Sequence, residues 1–236
     1  MNILPAIAAA KDEMLAIYRD LHANPELGFE ETRTSKIVAE KLVEYGVDEV
    51  HTGLGKTGVV AVIHGKSAGN RRIGLRADMD ALPIDEISGV SFASQTSGKM
   101  HACGHDGHTT MLLGAARHLS ETRDFNGTAV LIFQPAEEGL GGARQMIADG
   151  LFEKFPVNEI YGMHNSPNGR PGTFDICNGV AMAGAMFFDA HISGVGSHAA
   201  MPQQSRDAVM IASTLVGQLQ SIVSRNVAPL ESCVLS

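Results

Sequence analysis

No stretch of the chain approaches the roughly 18 consecutive apolar residues of a membrane-spanning helix, so no membrane segment is expected. Positive charge is scarce as well: 18 Lys and Arg against 26 Asp and Glu leave a formal net charge of −8. Arg71-Arg72 is the closest approach to a basic cluster, and without a Lys/Arg stripe to displace counterions a nucleic-acid partner is not expected. The N-terminus lacks a basic segment ahead of its apolar part, which argues against export by a signal peptide. Cysteine is sparse too. Cys103, Cys177 and Cys233 cannot all pair within the chain, and Cys103 lies in a histidine-rich run, so a reducing cytoplasm is the simpler reading. Internal repeats and low-complexity tracts are also missing.

What remains is a composition able to bury a sizeable core: 236 residues, 44% hydrophobic and 19% charged, enough for one large domain or two smaller ones. Apolar spacing predicts a helix over roughly residues 4–23, with Pro5 in its first turn and Asn24-Pro25 ending it. A second helix is predicted over residues 31–45, closed by Gly46. The β-branched runs 59–63, 73–75 and 128–133 read as buried strands, with 159–163 and 172–176 as weaker strand candidates. A helix opening near Asp106 carries Met111, Leu112, Ala115, Ala116 and Leu119 on one side, and a short helix fits residues 142–148. This alternation implies an α/β layered sheet. The pattern then changes: 185–192 alternates in part, as a half-exposed strand would, and 207–223 is a long helix, as if a second, α+β unit opened there.

The densest chemistry lies in Met100–His108, where three histidines, a cysteine and an aspartate share nine residues. A lone buried cysteine or a lone loop histidine has commoner structural uses. Cys103 and His105 together, opening a helix, form a sulfur–nitrogen pair of the kind zinc accepts. Glu137-Glu138 would ordinarily be a solvated face, yet the pair follows an apolar strand and Gln134-Pro135. Strand carboxyl ends are where open α/β sheets bind ligands. Adjacent carboxylates point in different directions, so one can hold a metal while the other faces water, the division that metal-assisted hydrolysis needs. His164 follows another strand candidate, and Asp78 and Asp80 follow residues 73–75 at a spacing that places both on one side of an extended segment. Turn capping, or a salt bridge to Arg76, is an equal reading for either aspartate alone. Delivery of such groups from several separate strand ends favours a site.

Six segments occur in order: Asn24–Glu31 (NPELGFEE), Leu75–Pro83 (LRADMDALP), His101–His108 (HACGHDGH), Phe133–Gly139 (FQPAEEG), Gly162–Asn165 (GMHN) and Gly194–Ala200 (GVGSHAA). In these the chain resembles the M20 metallopeptidase family over nearly its whole length, in particular the amidohydrolase branch of hippurate hydrolases, N-acyl-amino-acid deacylases and auxin-conjugate hydrolases. The resemblance implies a zinc-peptidase-like catalytic domain, a mixed sheet with helices on both faces, over residues 1–181. It implies the start of a smaller α+β lid and dimerisation domain over 182–236. It also makes Cys103, His105, Glu138 and His164 ligands of two divalent ions, Glu137 the general base and Asp80 a supporting carboxylate. His198 would reach the active site of a partner subunit and stabilise the developing oxyanion. Zinc or manganese is the implied metal, with cobalt or nickel open on ligand type.

Three positions depart from the family pattern: Ser197 stands for a second glycine, Gln203 for a histidine and Ala208 for a proline. All fall in the implied lid and leave the metal set intact. The family also continues into a returning segment with one more histidine ligand, whereas no histidine follows His198 here. A C-terminal truncation and weak or absent turnover are therefore expected of the isolated chain. The expected activity is hydrolysis of the amide bond of small N-acyl amino acids by a homodimer. A carboxypeptidase or dipeptidase on the same scaffold, and an inactive metal-binding fragment, are the alternatives. A cysteine hydrolase built on Cys103 is weaker, because it leaves Glu137, Glu138 and His164 without roles.

Overall fold

The computed structural model describes residues 3–182 and 184–236, which fall into two compact units, Met1–Gly172 and Thr173–Ser236. In the first unit the chain runs α1 (Pro5–Ala9), α2 (Lys11–Ala23), α3 (Thr32–Glu44), β1 (Glu49–Leu54), β2 (Gly58–His64) and β3 (Ser67–Asp78). It continues through α4 (His105–Thr122), β4 (Asn126–Gln134), α5 (Gly142–Ala148), α6 (Leu151–Lys154) and β5 (Glu159–Gly162). The five strands form one mixed sheet in the order β1-β2-β4-β3-β5. β1 and β2 run antiparallel to their neighbours, and β3 pairs in parallel with both β4 and β5.

Strand periodicity divides the core in two. Val59, Ala61 and Ile63 of β2, with Ala129, Leu131 and Phe133 of β4, face α2, α3 and α4 through Leu21, Leu42 and Leu113. The alternate residues, Val60, Val62, Val130 and Ile132, face the other way onto Met146, Leu151 and Phe155. Both sheet faces are thus covered by helices, which is why these strands read as unbroken apolar runs. Leu21, Leu42 and Leu113 are each 0% exposed; burying side chains of that size stabilises by about 1.5–3 kcal/mol apiece, and this, more than propensity, seats short helices on the sheet.

Several elements differ from the sequence expectation. The first helix is broken at Ala10 into two, and α1 buries no residue. β1 was not anticipated, because it is a largely exposed edge strand with no apolar alternation. β3 extends well before 73–75; its exposed polar first half is held by pairing with β4 rather than by burial. The strands expected over 172–176 and 185–192 do not form. A strand needs a hydrogen-bonded neighbour, and in the second unit the described residues hold only an isolated Val195–Arg206 bridge. That unit otherwise contains a 3₁₀ turn (Pro202–Gln204) and α7 (Ala208–Asn226), so its expected α+β character is reduced to helix and turn. Asp207 caps α7 by accepting from the Val209 and Met210 N–H groups. Among the described residues, no helix is long and apolar enough to cross a membrane.

Candidate metal centre

Parallel pairing brings the carboxyl ends of β4, β3 and β5 to one edge of the sheet, with Asp78 opposite Gln134 and Arg76 opposite Gly162. The residues at and just beyond each strand end therefore gather in one place: Asp78 and Asp80 from β3, Glu137 and Glu138 from β4, His164 from β5. α4 starts at this edge with His105 as its first residue and Gly104 as a left-handed cap at φ +87°. A Cβ on Gly104 would stand 2.7 Å from Asn165 Oδ1, so glycine lets the Cys103–His105 turn close against the end of β5.

Cys103 Sγ lies 3.4 Å from His164 Nε2. His164 Nδ1, 2.8 Å from the Asn165 carbonyl oxygen, donates to it and leaves the Nε2 lone pair facing the sulfur. His105 is fully buried; its Nδ1 pairs with Asp80 Oδ1 at 3.2 Å. Its Nε2 is 3.9 Å from Glu138 Oε1 and 3.6 Å from Asp78 Oδ2, with no hydrogen-bond partner. Candidate ligand atoms of Cys103, His105 and His164 lie within 4.8 Å of one another, as do those of His105, Glu137 and Glu138. An orphaned buried ring nitrogen is costly. A cation beside it, reached also by a sulfur and a second imidazole, removes that cost, so the residues present fit divalent metal ions. Burial, together with the Glu138, Asp78 and Glu137 carboxylates, raises the Cys103 thiol to about 12. A thiolate here requires a positive partner, and bound cations supply that.

The supporting carboxylates are held ionised. Burial pushes Asp78 up, but the His108 hydrogen bond and the charges of Arg76, His105 and His108 outweigh it and bring Asp78 to about 2. Asp80 is lowered in the same way, burial being overcome by His105 and by the Glu138 and Glu137 main-chain N–H groups. His108, three residues beyond His105 on the same helix face, joins Asp78 at 2.6 Å and accepts from the Asn165 N–H at 3.1 Å. It thus anchors the chain next to His164. Sequence reasoning did not single out His108 for a role, although its helical spacing from His105 was a usable signal. His198 is in the second unit, exposed, and its Nδ1 accepts from the Ala200 N–H at 3.1 Å.

Behind α4, buried His22 bridges Asp106 (2.6 Å) and Glu86 (3.1 Å). Burial works to lower its pKa, but the hydrogen bonds and charges of Asp106 and Glu86 prevail and raise it. A raised folded value makes this stabilisation complete below the unfolded pKa of about 6.5, and it fades as pH climbs through the folded value. His22→Gln should accordingly destabilise the metal-free chain by about 2 kcal/mol near pH 6, with the gap narrowing as pH rises through the raised folded value. Thermal melts of both proteins across that range check this; a gap independent of pH would assign His22 to packing alone.

A family model described as "Peptidase family M20/M25/M40" matches residues 74–232. The chain is 49% identical over 236 residues to a hippurate hydrolase of Campylobacter jejuni, covering 100% of this chain and 61% of that protein. It is 44% identical over 231 residues to an N-acetyl-L-cysteine deacetylase of Bacillus subtilis, covering 98% and 55%. Among solved structures, a Bacillus subtilis protein described as a dinuclear metal binding peptidase from the M20 family aligns with TM-score 0.64 and 43% identity, over 68% of this chain and 45% of that one. A putative aminohydrolase of methicillin-resistant Staphylococcus aureus aligns with TM-score 0.74 and 36% identity, over 96% and 60%. The chain thus spans between half and about three-fifths of the curated relatives it matches.

Proposed function

We propose, from the premise that this chain belongs to peptidase family M20/M25/M40, that it serves metal-dependent hydrolysis of the amide bond of N-acyl amino acids. The observation that carries the reading is the 3.4 Å approach of Cys103 Sγ to His164 Nε2 beside the unpartnered, buried His105 Nε2. Cys103, His105, Glu138 and His164 would hold two divalent ions, zinc or manganese, with cobalt or nickel compatible with the same donors. Bound ions supply Lewis acidity, easing loss of a proton from water and drawing charge from the amide carbonyl.

The chain's own residues do the rest. Glu137 takes a proton from the attacking water as its oxygen bonds to the carbonyl carbon. As the C–N bond breaks, Glu137 returns that proton to the departing amine. Asp80 holds the His105 ring through Nδ1 and the Glu138 N–H, keeping a ligand and the carboxylate pair in register. His198, from a second copy of the chain, would donate to the developing oxyanion. In this reading residues 1–181 belong to the catalytic domain and 182–236 to a lid that also dimerises, and the free cysteines suit the cytoplasm. The names of the matching C. jejuni and B. subtilis proteins support an N-acyl amino acid as substrate. The family's peptidase description keeps dipeptides as the second candidate substrate.

The test is amino-acid release from benzoyl-glycine, acetyl-amino acids and dipeptides before chelation, after it, and after reloading with zinc or manganese. Slow release from the acylated substrates, in keeping with the turnover expected of a chain that spans about three-fifths of its relatives, lost on chelation and regained with metal, is expected. Preference for dipeptides would select the peptidase alternative, and chelator-insensitive release would remove the metal reading.

A further inference from the structure

The segment Asn24–Glu31 stands out in the sequence, yet none of the chemistry above uses it. In the fold it touches both sides of the candidate site. The Glu26 carbonyl accepts from the Ala81 N–H at 2.8 Å, next to Asp80. Glu31, 0% exposed, is 105 positions from Ala136 in sequence, and its Oε1 accepts from the Ala136 N–H at 2.8 Å. Its other oxygen accepts from the Thr57 hydroxyl at 2.6 Å. Ala136 immediately precedes Glu137 and adopts φ +51°, a left-handed conformation uncommon for alanine.

Strain gathers around this one carboxylate. Of the four described non-glycine residues with positive φ, three are involved: Ala136 itself, Lys56 beside Thr57, and Phe29 two residues before Glu31. Such conformations persist only where their surroundings hold them. At Ala136 both main-chain groups are held, the N–H by Glu31 and the carbonyl by the Gly142 N–H at 2.9 Å. The two segments are also pressed together: a Cβ on Gly28 would stand 3.0 Å from Ala136 Cα. Two residues further on, the Glu138 N–H is held by Asp80. The carboxylate pair is therefore clamped at both ends, by Glu31 before it and by Asp80 within it.

We propose that Glu31 is a positioning residue for Glu137 and Glu138: its carboxylate holds Ala136 in the left-handed conformation that turns the two following side chains toward the end of the sheet. The role assigned to the pair rests on the function proposed above; the clamp itself does not. Burial raises the Glu31 pKa against the hydrogen bonds from Thr57 and the main chain. Those bonds show that the group is fully engaged, in keeping with a fixed support.

Four chains decide the matter: wild type, Glu31→Gln, Glu31→Met and the double variant Glu31→Met with Ala136→Gly. Gln keeps an oxygen for the Ala136 N–H and can donate to Thr57. Met fills the space without accepting, and glycine at 136 adopts positive φ without support. Cobalt(II) titration, followed by the thiolate absorption of Cys103, should show Glu31→Gln within about threefold of wild type and Glu31→Met weaker by about tenfold. The double variant should recover most of that loss while its melting temperature stays as low as that of Glu31→Met. A merely structural Glu31 would give no such separation of affinity from stability.

Amide exchange at Ala136 in the metal-free protein is a second readout, expected to be slow in wild type and Glu31→Gln and fast in Glu31→Met. Wild-type cobalt affinity in Glu31→Met, absence of rescue by glycine, or an unprotected Ala136 amide in wild type would each overturn the proposal. If Glu31→Met does not fold, exchange in wild type and Glu31→Gln still decides it. A wild-type chain without a cobalt–thiolate band would instead sink the metal reading, leaving the exchange data to judge the clamp.

Discussion

Glu137→Gln should lower amide hydrolysis by about 10²–10⁴-fold, the range over which a positioned general base contributes, while cobalt(II) binding stays near wild type. The substitution preserves volume and removes only the capacity to take a proton. Oxygens of both glutamates lie within 4.8 Å of a His105 ring nitrogen, and Glu138 Oε1 makes the 3.9 Å approach to the orphaned His105 Nε2, so the two roles are separated by experiment. Glu138→Gln is therefore the control: it should weaken cobalt binding, and hydrolysis should fall with occupancy. Steady-state rates at saturating metal, with metal content measured on the same samples, separate the two variants. Equal loss of metal from both would mean that the carboxylates share one role, and the assignment of Glu137 as base would have to be abandoned.

Cys103→Ser should have the second large effect, cutting cobalt affinity by at least about 100-fold, at or beyond the upper range seen for residues that merely support ligands. The sulfur-to-cobalt absorption should vanish. Without a cation the thiol is raised to about 12 by burial and the surrounding carboxylates, so it is protonated across the neutral range. Metal uptake must then expel that proton. In weak buffer, wild type should release one proton more per metal-loaded chain than Cys103→Ser does, and its affinity should rise with pH where that of the serine variant changes less. Proton release that is identical in the two proteins would exclude Cys103 as a thiolate ligand.

Parts of this architecture were readable before any coordinates. β2 and β4 announced themselves as apolar runs because both of their faces are buried, and α5 was delimited by its glycine-rich turn. β1 was silent because an exposed edge strand takes its stability from backbone pairing, which leaves no mark on side-chain pattern. Residues 185–192 made the opposite error: a partial alternation was present, but no ladder partner, so no strand formed. At the site, Glu137, Glu138 and His164 were legible from residue type and from position after an apolar run, and Cys103 and His105 from their pairing where a helix opens. Glu31 was not, and His108 offered only its helical spacing from His105, since each acts on a main-chain amide distant in sequence, through Ala136 and Asn165.

Local order therefore determined which chemical groups this protein carries and that they follow strands or open a helix, because ligand type and apolar periodicity are properties of short segments. The tertiary structure decided which of those ends meet and what keeps them aimed. Parallel pairing of β3 with β4 and β5 puts three separate strand ends at one edge, and a glutamate 105 positions away holds the turn before Glu137. Hydrogen bonding between distant backbone groups has no residue-type signature of its own, so only the folded chain displays it.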